Sequence, residues 1–412
     1  AVALLAPDGS GRDVMLQVLR QAGERPGRVP PVRGVPWTFL ESPRGDELRL
    51  VDTVAGSSAL RDADLVLVAV STKSEADAAL AAVRAAGRPA VLLLRGEALA
   101  EREGFEPAVK ALSLDACCRC WPLESPLHDA IAAALPAHQK PGMERLQRAW
   151  RDAHQRRWRE SMRLLAEPLL HAAHDTEEAR TGPLSLRQLI SSTERDASQR
   201  AREDAMASVL QRLKDVLARS FDDLQQLHGL RALEGDQLGA QADPFVVRQA
   251  LHAGHTSVAG AASGAAAMGL AVDMMAGGMT LGAGALLGAL IGGTSALAAA
   301  AWKNRAAPNG APIVQLGDDM LQTLTDLAVL RYLAVIHEGR MLAGDAAALP
   351  ATWKSEVIAG VAADRAAHAA VWAQARQSDD PGAHREALAQ ALQATVRRVL
   401  ERLYAVPADV LA

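Results

Sequence analysis

The chain has 412 residues, a formal net charge of −4, and only 3% aromatic residues beside abundant Ala, Leu and Arg. That length suggests two or three domains. The near-neutral charge gives no global pull toward nucleic acid, and the composition favours helix over most of the chain.

The first 138 residues alternate in period. Short apolar runs at Val2–Ala6, Trp37–Glu41, Glu47–Thr53, Asp64–Val70, Ala90–Arg95 and Lys110–Ala116 read as strands, with helical stretches at Arg12–Ala22, Glu75–Ala86 and Glu124–Leu135. Ser42-Pro43-Arg44-Gly45-Asp46 has hairpin-turn composition. The order strand, helix, hairpin, then alternating strands and helices requires parallel strands with crossover helices. Because the chain opens on the strand-like run Val2–Leu5, no signal peptide is expected. Cys117, Cys118 and Cys120 include one C-x-x-C with no second ligand pair at zinc-site spacing. They read as free thiols at a strand end, a redox or metal role being the alternative, and no metal site is expected.

The segment Val2-Ala-Leu-Leu-Ala-Pro-Asp-Gly-Ser-Gly-Arg-Asp-Val-Met-Leu16 resembles the strand–loop–helix of bacterial Era/septin-like GTPases. The resemblance implies a Ras-like α/β domain, GTP hydrolysis, magnesium and association with the inner membrane. A working loop reads G-x-x-x-x-G-K-[ST]: amides cradle phosphate, Lys contacts the outer phosphates and a hydroxyl holds magnesium. Here Ala6 stands at the first Gly, Gly9 lies within the loop, Gly11 keeps the second Gly, Arg12 replaces Lys and Asp13 replaces Ser/Thr. Asp13 sets a carboxylate against polyphosphate, and Arg12 is not an equivalent point charge. Asp52 resembles the magnesium-facing Asp of D-x-x-G, yet Gly56 follows four residues on. Gly23 to Pro36 holds no Thr at the first-switch position, and Arg95-Gly96-Glu97 stands where N-K-x-D would read guanine. The expectation is a GTPase fold without nucleotide chemistry and without a cofactor. A flavodoxin-like domain, or an active divergent GTPase binding GTP and magnesium, are the alternatives.

Residues 139–245 read as a long helical, coiled-coil-like region. From Pro141, Leu146, Trp150, His154, Trp158, Met162, Leu165 and Leu169 recur at helical spacing. Seven arginines (Arg145, Arg148, Arg151, Arg156, Arg157, Arg159, Arg163) line the other faces, either solvated or touching anionic lipid. Ser191 to Gln226 reads as a second amphipathic helix.

Residues 246–306 hold a Gly-rich hydrophobic hairpin. Gly260 and Gly264, then Gly284, Gly288 and Gly292, recur every fourth residue, a stripe on which a second backbone can pack closely. As helices, the arm Val258–Val272 would span about 22 Å and the arm Met279–Ala301 about 34 Å, against a bilayer core of roughly 30 Å. Trp302 with Lys303 beyond the second arm fits a membrane–water interface; a buried soluble core hairpin is the alternative. Residues 307–412 form a C-terminal helical bundle, with helices at Asp318–Glu338, Ser355–Arg376 and Gly382–Tyr404. Asp318, Asp319 and Asp326 are expected on the polar side of the first.

The reading as a whole is an α/β GTPase-like domain followed by a large, mainly α-helical domain. It is expected to act as a membrane-associated scaffold or remodelling protein at the inner membrane, with a membrane or membrane-protein partner, as a homo-oligomer, without nucleic acid. A pore-forming protein is a further alternative.

Overall fold

The computed structural model describes residues 1–6, 12, 15–16, 19, 33–100, 110–113, 125–179, 192–229, 302–306, 312–338 and 351–404. Gly9, Gly11, Asp13, the three cysteines and the glycines of the hydrophobic segment lie outside them.

The N-terminal part is a six-stranded mixed sheet with strands β1 (Val2–Leu5), β2 (Trp37–Glu41), β3 (Glu47–Thr53), β4 (Leu65–Val70), β5 (Ala90–Leu94) and β6 (Lys110–Ser113). Its order is β2-β3-β1-β4-β5-β6. Only β2 runs antiparallel to its neighbour; β3, β1, β4, β5 and β6 form a parallel core. Strands covered on both faces are apolar without alternation, and every residue of VALL and LVLVAV is buried.

Side-chain alternation divides the core in two. Val2, Leu4, Leu65, Leu67, Val91 and Leu93 face one layer, together with Met15, Leu16 and Leu19. Ala3, Leu5, Val66, Val68, Leu92 and Leu94 face the other. Among the described residues, α1 (Ser58–Asp62), α2 (Lys73–Ala86) and α3 (Gly96–Ala100) supply the cover of this second layer. Helix α2 starts at a capping box between Thr72 and Glu75 and stops at Gly87, left-handed at φ 67°. After β6 come α4 (Pro126–Ala134), opened by the Ser125 cap, and α5 (Lys140–His174).

Helix α5 has 35 residues, about 52 Å at 1.5 Å per residue. Its apolar stripe serves two cores in succession. Met143, Leu146 and Trp150 complete the layer over the sheet. Trp158, Met162, Leu165 and Leu169 enter the core of the helical part. There α5 packs with α6 (Ser192–Leu227), α7 (Asp318–Glu338), α9 (Arg365–Ala375) and α10 (Arg385–Tyr404), while α8 (Ala351–Ala363) packs against α7 and α10. Helix α7 is buried on every side from Leu327 to Ile336, as a helix surrounded by others must be. Leu321, Val329 and Leu333 are wholly buried, and the Tyr332 ring meets Trp158 edge-on at 5.7 Å.

A second sheet, not expected from the sequence, joins this part. Strands β7 (Thr176–Glu178) and β8 (Trp302–Ala306) both pair antiparallel with β9 (Pro312–Leu316). Trp302 therefore opens a strand, with its backbone opposite Leu316.

Candidate functional site

Loops at the carboxyl ends of parallel strands are where α/β sheets hold ligands. Asp52 lies there, beside Leu4 in the β1–β3 register, and is wholly buried. Its Oδ2 accepts from Arg12 Nε at 2.7 Å and from a second nitrogen of that guanidinium. Arg33 Nε lies 3.7 Å from the same oxygen. The Asp52 carbonyl accepts from Gly34 N at 2.8 Å, fixing the residues before β2 against β3; Gly34 and Gly56 both have left-handed φ, 84° and 82°. Asp52 Oδ1 is buried without a hydrogen-bond partner. Thr53 Oγ1 bonds Ser57 Oγ, and Ser57 caps α1. Val35 and Val54, which flank this loop pair in the chain, are the large apolar residues left exposed among the described residues.

Of the sequence-proposed loop residues, the fold thus brings Arg12 and Asp52 into one ion pair. A buried carboxylate is tolerated where a charged donor reaches it in good geometry. A divalent cation at Asp52 would have to displace Arg12 or sit beside its guanidinium, and like charges repel strongly at low local dielectric.

The arginines of α5 divide. Arg145 makes a bidentate pair with Asp46 of the β2–β3 turn, at 2.8 and 2.6 Å; hydrogen bonds from that guanidinium hold the Asp46 carboxyl far below its usual range. Arg163 pairs with Glu386 of α10 and Glu160. Arg148, Arg151, Arg156 and Arg159 are exposed. His154 is buried, its Nδ1 3.0 Å from the Trp150 carbonyl, in keeping with a packed core histidine. Among the described residues no cluster of three or more His, Cys, Asp or Glu could hold a metal, and no helix is long and apolar enough to cross a membrane.

Three buried polar arrangements in the helical part carry no sequence signature. Arg376 reaches Asp318 at 2.5 Å and the Leu316 and Ala173 carbonyls, tying together the ends of α5, β9 and α9. Thr395 Oγ1 donates to Asp364 at 2.8 Å and lies 3.1 Å from His368 Nε2, while Arg398 holds the other Asp364 oxygen. With the Thr395 proton on Asp364, His368 donates from Nε2. Burial pushes the His368 pKa down. Asp326, expected on a polar face, instead has Oδ1 buried without a partner, and burial pushes its pKa up to about 8. Nearby on α7, Arg331 is buried with its guanidinium 5.3 Å from the Phe221 ring centroid.

Residues 124–405 match the model of a family described as a domain of unknown function (DUF3482). The match spans well over half of the chain, which belongs to that family. No curated protein and no solved structure matches.

Proposed function

We propose that the chain is a GTPase-like protein that has given up nucleotide chemistry and works as a scaffold or remodelling protein at a membrane. One observation carries the first half. Arg12, standing where the loop lysine would reach phosphate, is turned onto Asp52, standing where a carboxylate would face magnesium. Each neutralises the other, so neither is free for a phosphate or a cation. The strand order β2-β3-β1-β4-β5-β6 with β2 antiparallel supports the Ras-like assignment. The membrane half rests on the sequence of residues 258–301 and their fourfold glycine spacing. On this reading the partners are a membrane or membrane protein and further copies of the chain, and no nucleic acid.

The test has two arms. Calorimetric titration with GTP and magnesium should give no binding heat; a saturable, magnesium-dependent isotherm would overturn the nucleotide-inactive reading. Fractionation of cells should place the full chain with the inner membrane and a chain lacking residues 258–301 in the soluble fraction. Gly288→Leu should abolish assembly while leaving melting of the α/β domain unchanged. A wild type always found soluble, with Gly288→Leu lowering its melting, would make the segment a soluble core and refute the membrane half.

A further inference from the structure

Asp52 and Asp46 stand at opposite ends of one stretch of chain. Six steps of near-extended backbone separate them, about 20 Å. At one end Arg12 grips Asp52; at the other Arg145 of α5 grips Asp46. The turn holding Asp46 has little freedom of its own. Ser42 Oγ donates to the Asp46 carboxylate at 2.7 Å, and its N–H reaches the Asp46 carbonyl at 2.9 Å. Contact with α5 is close because Gly142 has no side chain: a Cβ there would stand 3.3 Å from Asp46 Oδ1. Helix α5 then continues from the sheet into the helical core, its Ser161 2.9 Å from His228 Nε2, two residues before the 230–301 segment.

We propose that the β2–β3 hairpin and α5 form a lever that links the Asp52 site to the helical part, with Asp46–Arg145 as its joint. A hairpin gripped at both ends and held by its own ladder shifts as a body. Release at Asp52 is then felt at the first turns of α5 rather than being absorbed in a loop. The inference needs neither nucleotide nor membrane, so its failure is separable from that of the function proposed above.

Hydrogen exchange on the full chain tests it. Amides of residues 143–153 in α5 are followed relative to those of α8, which corrects for a general loss of stability. Arg12→Ala should speed exchange in 143–153 by about tenfold. In an Arg145→Gln background, where the joint is already broken, the same substitution should change it by less than about twofold. Acceleration confined to the sheet, or equal acceleration in both backgrounds, would overturn the lever. Should Arg12→Ala fail to fold because it strands a buried carboxylate, Arg12→Gln with Asp52→Asn removes the ion pair without stranding a charge, and the same two outcomes apply.

Discussion

Gly360 sits in the interior of α8 where α10 crosses it. A Cβ added there would lie 2.5 Å from Val399 Cγ2, well inside the roughly 3.5–4.0 Å optimum for carbon pairs. Two effects oppose each other in Gly360→Ala. Helix propensity favours Ala by about 1 kcal/mol. Overpacking costs typically 1–3 kcal/mol. The clash should win and lie toward the upper end. Val399 is wholly buried, and its β-branched side chain has one strongly preferred rotamer in a helix, so it cannot turn aside. We expect a net loss of about 1–2 kcal/mol. Val399→Ala alone should cost about 1–2 kcal/mol through lost burial and a cavity. The pair should cost less than the sum, because the added methyl now enters the space the valine left. Urea unfolding of the full chain, followed by far-ultraviolet circular dichroism, gives all four stabilities. Costs that simply add, or a Gly360→Ala chain more stable than wild type, would mean that α8 and α10 do not approach as closely as described.

Arg12→Ala should destabilise the α/β domain by about 3–5 kcal/mol, since it leaves a buried carboxylate unpaired; adding Asp52→Leu should recover most of that, and a single variant as stable as wild type would refute the pair. Asp326 holds a proton in the folded chain up to about pH 8 that the unfolded chain releases near pH 4. Stability should therefore fall as pH rises across that window, by up to about 1.4 kcal/mol per unit. Asp326→Asn should flatten that fall in unfolding midpoints measured from pH 5 to 8, and parallel curves would exclude the buried acid. His368 shifts the other way: its folded pKa lies below 6.5, so the unfolded chain binds the extra proton and stability drops as pH falls below 6.5. Replacing it by Gln should remove that acid-side loss, and an unchanged acid limb in a thermal melt series would show that His368 takes no part.

Where local patterning decides the structure, the sequence was legible. Trp37–Glu41 and Glu47–Thr53 are strands as read, because the Ser42–Asp46 turn separates two β-rich runs. Asp318–Glu338 is a helix over the residues expected. The second sheet was not legible. Thr176–Glu178 is three polar residues, and Trp302–Ala306 has no apolar alternation; only pairing with β9 makes either a strand. The candidate site was half legible. Arg12 and Asp52 could be named from the loop and strand they occupy, but not their ion pair, which depends on sheet order. Arg145 looked like one of seven equivalent arginines, and its partner lies 99 positions away. Asp326 looked solvent-facing by helical spacing, and its burial comes from elements packed around α7.

Because α5 finishes the layer over the sheet before it enters the helical core, the two halves of the chain do not mature independently. During synthesis the sheet strands emerge first, yet the face of β2 and β3 that α5 covers stays partly bare until Leu146 and Trp150 have left the ribosome. A fragment ended at the loop before α5 would carry that bare apolar face permanently and should be sticky in isolation. A fragment extended through the fourth turn of the helix would close its own core.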